Sequence, residues 1–226
     1  MRNLFRQDPL FRAKHWNSAA FQPISYLRAK TYVSGWDMKR VYTVSVALLL
    51  FSAGQAVAAG LTGTVEVSGR LARYAVVWLE APNAAPARPT GRVVLSQLNL
   101  SFFPHVLAVQ VGTVVDFPND DRVFHNVFSF RDGKQFDLGM YPTGSLRTVV
   151  FDKPGLSRIF CNIHPNMAAY VMAVETPYFA VSDERGAFTI AVPSGTYTYH
   201  AWRPGGTTLT GTVTLDQGTP FKIEWP

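Results

Sequence analysis

The chain has 226 residues, of which 47% are hydrophobic and 16% charged, a balance that gives a globular protein a sizeable core and excludes intrinsic disorder. Its formal charge of +6 would invite an acidic partner, but residues 1–58 hold eight Lys/Arg against two acidic residues, and the remainder holds thirteen of each. Beyond residue 58 the chain is neutral, which argues against nucleic acid as a partner.

At the N-terminus, Met38-Lys39-Arg40 precedes the apolar run Val41 to Phe51, and Ala56-Val57-Ala58 follows. A positive start, an apolar middle and small residues at the end predict a signal peptide over 38–58, hence an exported, periplasmic protein beginning near Ala59. Residues 1–37 show no sustained period. They are read as a mis-annotated or disordered extension, with translation starting at Met38; the competing reading is a long cytosolic extension. An uncleaved anchor is a third reading, because Val41 to Gly60 approaches the roughly 20 residues that span a bilayer. Gly54, Gln55 and the small-residue end favour cleavage, which leaves no membrane span.

After the signal the chain reads as short strands. Leu61 to Val67 alternates apolar and polar residues, as a half-buried strand does, and Ala75 to Leu79 is more continuously apolar. Three prolines between Ala81 and Pro89 predict a loop. Strands are then expected over 93–100, 104–111, 113–117, 147–151, 157–160 and 169–174, each bounded by turn residues. No phosphate-binding glycine loop or long amphipathic helix interrupts them. In the last fifty residues, Asp183-x-x-Gly186 and Pro193-x-Gly195 mark turns on either side of a strand, with another strand following.

The chemistry concentrates in Cys161-Asn162-Ile163-His164-Pro165-Asn166-Met167. Cys161 is the only cysteine, so in an exported protein it has no disulfide partner within the chain. A thiolate, an imidazole and a thioether at this spacing supply three of the four donors of a trigonal His₂Cys copper site with a weak axial Met. His125 offers the fourth, at the start of an alternating run after the Asn119-Asp120-Asp121 turn. Met140 and Met172 are competing thioethers, but only Met167 has the loop spacing. His105 and His200, without spaced partners, are read as structural, and Asp116, Asp120, Asp121 and Asp152 as solvated turn residues or a docking patch.

These residues carry a resemblance. His125-Asn126 after an Asn/Asp-rich turn, followed downstream by Cys161-x-x-His164-x-x-Met167, resembles the cupredoxins, with the short ligand loop of amicyanin, over residues 93–175. The resemblance implies one type 1 (blue) copper site held by His125, Cys161, His164 and Met167. It implies that Asn126 supports the thiolate from outside the ligand set and ties the two ligand segments together. His164 then carries the solvent-facing ring edge, with Pro165 as apolar docking surface. The Gly-x-Val strands at 63–80, with Gly186-x-Phe188 and Pro193-x-Gly195-x-Tyr197, resemble the carboxypeptidase regulatory-like, transthyretin-like sandwich. The implied architecture is all-β: a Greek-key cupredoxin sandwich (93–175) inserted in or adjacent to a second sandwich made of 60–90 plus 176–226. The combination resembles exported bacterial proteins labelled methylamine utilization proteins.

The implied function is a monomeric periplasmic carrier of single electrons, not an enzyme, passing them between redox proteins or from a dehydrogenase. Three other readings compete. The first is copper handling without redox turnover. The second is a carbohydrate- or envelope-binding module with Trp202 and Tyr199 as stacking residues. The weakest is a cysteine hydrolase built on Cys161, since a metal-bound thiolate is not free to attack a carbonyl.

Overall fold

A computed structural model describes residues 60–80, 89, 91–215 and 220–226. The expectations for the extension, the signal peptide, the cleavage point and nearly all of the proline-rich loop lie outside the described residues. Among those residues the structure is all-β, as the alternation predicted, and no helix is long and apolar enough to cross a membrane.

The strands fall into three runs. The first holds β1 (Gly60–Val67), β2 (Arg70–Leu71) and β3 (Val76–Leu79). The second begins with β4 (Arg92–Val94), β5 (Ser96–Leu98), β6 (Ser101–Phe103), β7 (Val106–Gln110) and β8 (Thr113–Pro118). It continues through β9 (His125–Ser129), β10 (Phe136–Tyr141), β11 (Leu146–Phe151), β12 (Gly155–Phe160) and β13 (Ala168–Val174). The third holds β14 (Phe179–Val181), β15 (Ala187–Ala191), β16 (Gly195–Trp202), β17 (Leu209–Leu215) and β18 (Phe221–Trp225).

The second run forms one sandwich. Its larger sheet has the order β10-β9-β12-β13-β7, its smaller one β11-β8-β4, and β5 pairs with β6. Between them lies a core that includes Val115, Phe117, Val127, Phe151, Ile159 and Val171, supplied by alternate positions of facing strands. The first and third runs pair with each other. β1 lies antiparallel to β15 and parallel to β18, while β3 joins the sheet β14-β3-β16-β17. Leu61 and Val65 on one sheet meet Val77, Leu79 and Val213 from the other in a second core. Gly63 is required where β1 passes its neighbours, since a Cβ there would collide with the Phe221 carbonyl and the Phe188 ring. The Asp183 turn forms as its sequence predicts: its carboxylate accepts from the Arg185 and Ala187 N–H groups, and Gly186 takes φ +68°.

The two sandwiches meet through a third cluster, where Val76 and Trp202 pack with Val106, Met172 and Val174. Trp202 is therefore only 7% exposed, with the Tyr170 ring 5.3 Å away. This corrects the reading of Trp202 as a sugar-stacking residue, because its faces are spent on the interface. Tyr199 is half-buried, its ring edge-on to Phe221 at a centroid distance of 5.0 Å.

Three further features go beyond the strand pattern read from the sequence. The strand expected over 93–100 is broken: β4 pairs with β8, whereas β5 turns back onto β6 through Asn99 and Leu100, at φ 52° and 57°. Strand β10 lacks a clean alternation because its register with β9 shifts between Asp137 and Met140, at Gly139. Asp116 is no solvated turn residue: it lies buried in β8, its carboxylate accepting from Nε (2.8 Å) and Nη2 of Arg92.

Candidate metal centre

The site sits where the end of β12 and the start of β9 come together. Phe160 pairs with Phe128, which brings Cys161 alongside the strand that begins with His125. The loop from Cys161 to Met167 closes on itself: the Cys161 N–H donates to the Met167 carbonyl (3.2 Å) and the Met167 N–H to the His164 carbonyl (2.9 Å). Seven residues are held in a fixed turn, which swings the His164 ring back over Cys161.

The result is a compact donor triangle. His125 Nδ1 lies 3.1 Å from His164 Nδ1, Cys161 Sγ lies 3.9 Å from His125 Nδ1, and Sγ lies 3.6 Å from His164 Nδ1. A point in the plane of these three atoms stands about 2.1 Å from each, the length of a metal bond to imidazole nitrogen or thiolate sulfur. His125 is fully buried, Cys161 nearly so, and His164 half-buried. Pro165 and Ile163 are exposed beside His164. Met167 is 1% exposed and belongs to the same apolar cluster as Cys161.

Asp121 is the residue that sequence reasoning misplaced. It is buried, and its Oδ2 lies 3.0 Å from His125 Nε2 while also accepting from the Leu100 N–H at 2.7 Å. Oδ1 accepts from the Arg122 N–H at 2.8 Å. The Leu100 hydrogen bond, then that of Arg122 and the contact with His125, hold this carboxyl below the usual carboxylate range, against the opposing cost of burial. An ionised carboxylate can only accept, so Nε2 of His125 carries the proton and Nδ1 presents its lone pair to the triangle. Asn119 braces the turn, with Nδ2 donating to the Val123 and Tyr141 carbonyls and Oδ1 accepting from the Asp121 N–H. The signal available in the sequence was an Asp four residues before the His.

Asn126 departs from the role the resemblance implied. Its Nδ2 donates to Asp137 at 2.9 Å, and its buried Oδ1 has no partner among the described residues. The side chain ties β9 to the irregular part of β10 rather than to the Cys161 loop. Behind the site Tyr141, opposite His125 in the ladder, is fully buried; its hydroxyl donates to the Phe117 carbonyl and accepts from Gln97. Burial pushes its phenol up to about 12. His105 and His200 stand apart from the triangle. His105 contacts the Ala168 carbonyl through Nδ1, and His200 bridges Glu80 and Thr210.

No family model matches the chain, and no curated protein is similar to it in sequence. Among solved structures, it is similar to a copper-containing nitrite reductase from Thermus scotoductus, at 27% identity and a TM-score of 0.37 over 43% of this chain. That match spans 25% of the reductase chain. A purple cupredoxin from Nitrosopumilus maritimus aligns at 28% identity and a TM-score of 0.33, over 37% of this chain and 98% of its own. A reduced amicyanin variant aligns at 21% identity and a TM-score of 0.35, over 43% of this chain and 99% of its own.

Proposed function

We propose that the chain is an exported copper protein that carries single electrons, with one type 1 site held by His125, Cys161, His164 and, as a weak axial donor, Met167. The observation that carries this reading is the donor triangle: two imidazole nitrogens and the Cys161 sulfur share a point at metal-bond distance, with His125 and Cys161 buried. Three such donors do not meet by accident in an interior where a buried Cys is normally an apolar filler. Bound copper would supply a one-electron couple, which a soft thiolate and two imidazoles tolerate in both oxidation states.

The chain's own part is to hold these donors still. His125 is preset by Asp121, and His164 by the closed loop. The half-buried His164, with Pro165 and Ile163 exposed around it, offers the route to a periplasmic redox partner or dehydrogenase. In the same reading the protein acts as a monomer, and the strands of 60–90 plus 176–226 form a transthyretin-like accessory sandwich around an inserted cupredoxin domain.

The test is a visible absorption spectrum of the copper-loaded protein together with cyclic voltammetry. Wild type is expected to be intensely coloured through thiolate-to-copper charge transfer and to cycle reversibly, and Cys161→Ser to be colourless. A copper-loaded wild type without colour, or one that takes only zinc, overturns the reading. Colour without reversible cycling would instead favour copper handling.

A further inference from the structure

The carbonyl of Ala168, the residue after Met167, lies beyond the ladder that joins β13 to β7. The first register pair there is Tyr170 with Val106, and the Tyr170 N–H donates to the His105 carbonyl at 3.0 Å. The donor that the Ala168 carbonyl meets is instead a side chain: His105 Nδ1 stands 3.1 Å from its oxygen. A carbonyl only accepts, so Nδ1 carries the ring proton. Within its loop Met167 already has two backbone bonds, its N–H to the His164 carbonyl and its carbonyl from the Cys161 N–H. His105 adds a fixed point directly after it, from outside the loop.

The second sandwich in turn holds His105. Its ring is edge-on to Tyr170, with centroids 5.4 Å apart, and lies 5.3 Å from the ring of Tyr74, which comes from the link between β2 and β3. Tyr74 has φ +66°, a left-handed backbone that a bulky residue rarely adopts and that persists only where its surroundings enforce it. Buried Ser182 does so. Its hydroxyl donates to the Ala72 carbonyl (2.8 Å) and accepts from the Ala75 N–H (2.9 Å), while its own carbonyl accepts from the Tyr74 N–H (3.1 Å). The Arg73 guanidinium lies 4.7 Å from the Tyr74 ring centroid and is anchored by Glu184 at 2.8 Å. A strained residue is thus clamped with its ring against His105.

We propose that His105 is a positioning residue for Met167, held in place by Tyr74, so that the second sandwich sets the geometry of the axial donor. The role of Met167 as a donor rests on the copper reading; the mechanical link from Tyr74 through His105 to the end of the loop does not. Removing the Nδ1 donor leaves the Ala168 carbonyl without its partner and frees the loop end. The axial interaction tunes a copper couple, so a displaced Met167 reads out as a shifted potential.

Amide hydrogen exchange on the metal-free protein tests the link independently of copper. Exchange at Cys161, whose N–H bonds the Met167 carbonyl, is expected to be about fivefold faster in His105→Phe and in Tyr74→Ala. Exchange at Gly112, bonded to the Phe151 carbonyl past the far end of β7, should not change. His105→Asn, whose amide offers a donor near the Nδ1 position, should restore the wild-type rate. In the copper-loaded protein, His105→Phe should shift the reduction potential in the same direction as Met167→Leu, and His105→Asn should leave it in place. Tyr74→Ala keeps His105 and decides alone if His105→Phe does not fold. Wild-type exchange at Cys161 in the folded variants, equal acceleration at Gly112, or no rescue by His105→Asn overturns the proposal. So does a coloured wild type whose potential ignores His105→Phe, whereas a colourless wild type defeats the copper reading alone and leaves exchange to decide the link.

Discussion

At the scale of single residues, the site depends on groups that hold the donors as much as on the donors themselves. Asp121 fixes which nitrogen of His125 is protonated, so Asp121→Asn removes the charge and leaves the amide free to present either end. Copper affinity is expected to fall roughly 10- to 100-fold, read by competition with a chelator. Unchanged affinity would show that the sandwich alone orients the ring. Tyr141 sets an alkaline limit. Its folded pKa of about 12 stands above its unfolded value of 10.0, so its contribution is complete below pH 10 and is lost as pH rises towards 12. The unfolded chain ionises first and binds fewer protons, so stability falls with pH by up to about 2–3 kcal/mol from this group. Denaturant unfolding at pH 9 and pH 11.5 should show that loss in wild type and lack it in Tyr141→Phe, which starts from a lower plateau because the Gln97 hydrogen bond is gone.

At the scale of elements, the β5–β6 hairpin is the local structure at odds with its own sequence. A two-residue turn with both residues at positive φ favours Asn-Gly, yet Leu100 occupies the second position at φ 57°, half-exposed. Its backbone N–H, which bonds Asp121, does not depend on the side chain. Leu100→Gly should therefore stabilise the protein by about 0.5–1 kcal/mol, relief of left-handed strain outweighing the entropy of glycine. The check is a rise in denaturation midpoint at constant slope; a fall would mean that the Leu100 side chain packs more favourably than its exposure suggests. The loop from Cys161 to Met167 behaves oppositely, since its two internal backbone bonds agree with its sequence and leave no strained non-glycine residue.

At the scale of the whole molecule, coupling between the sandwiches rests on the cluster around Trp202. Trp202→Ala is expected to cost about 3–5 kcal/mol by opening a cavity there, and to split thermal unfolding into two transitions by calorimetry. A single transition at unchanged temperature would mean that backbone connections, rather than this packing, hold the two sandwiches together.

What the sequence by itself determined is local. Apolar alternation gave the β class, the Asp183-x-x-Gly186 turn announced itself, and the seven-residue span from Cys161 to Met167 placed a thiolate and an imidazole in one loop, with His125 as their partner from another strand. Such features depend on spacing along a few residues, which the chain carries wherever it folds. Tertiary structure alone decided the rest. Asp121 reads as a turn residue until Leu100, from a separate hairpin, buries and satisfies it. Asn126 reaches Asp137 because β10 shifts register there, and Trp202 reads as an exposed aromatic until the second sandwich covers it. In each case the deciding partner belongs to another element, from the neighbouring strand for Asn126 to the second sandwich for Trp202, and burial, which sets whether a polar group is solvated or must be paired, is a property of the packed layers and not of any short segment.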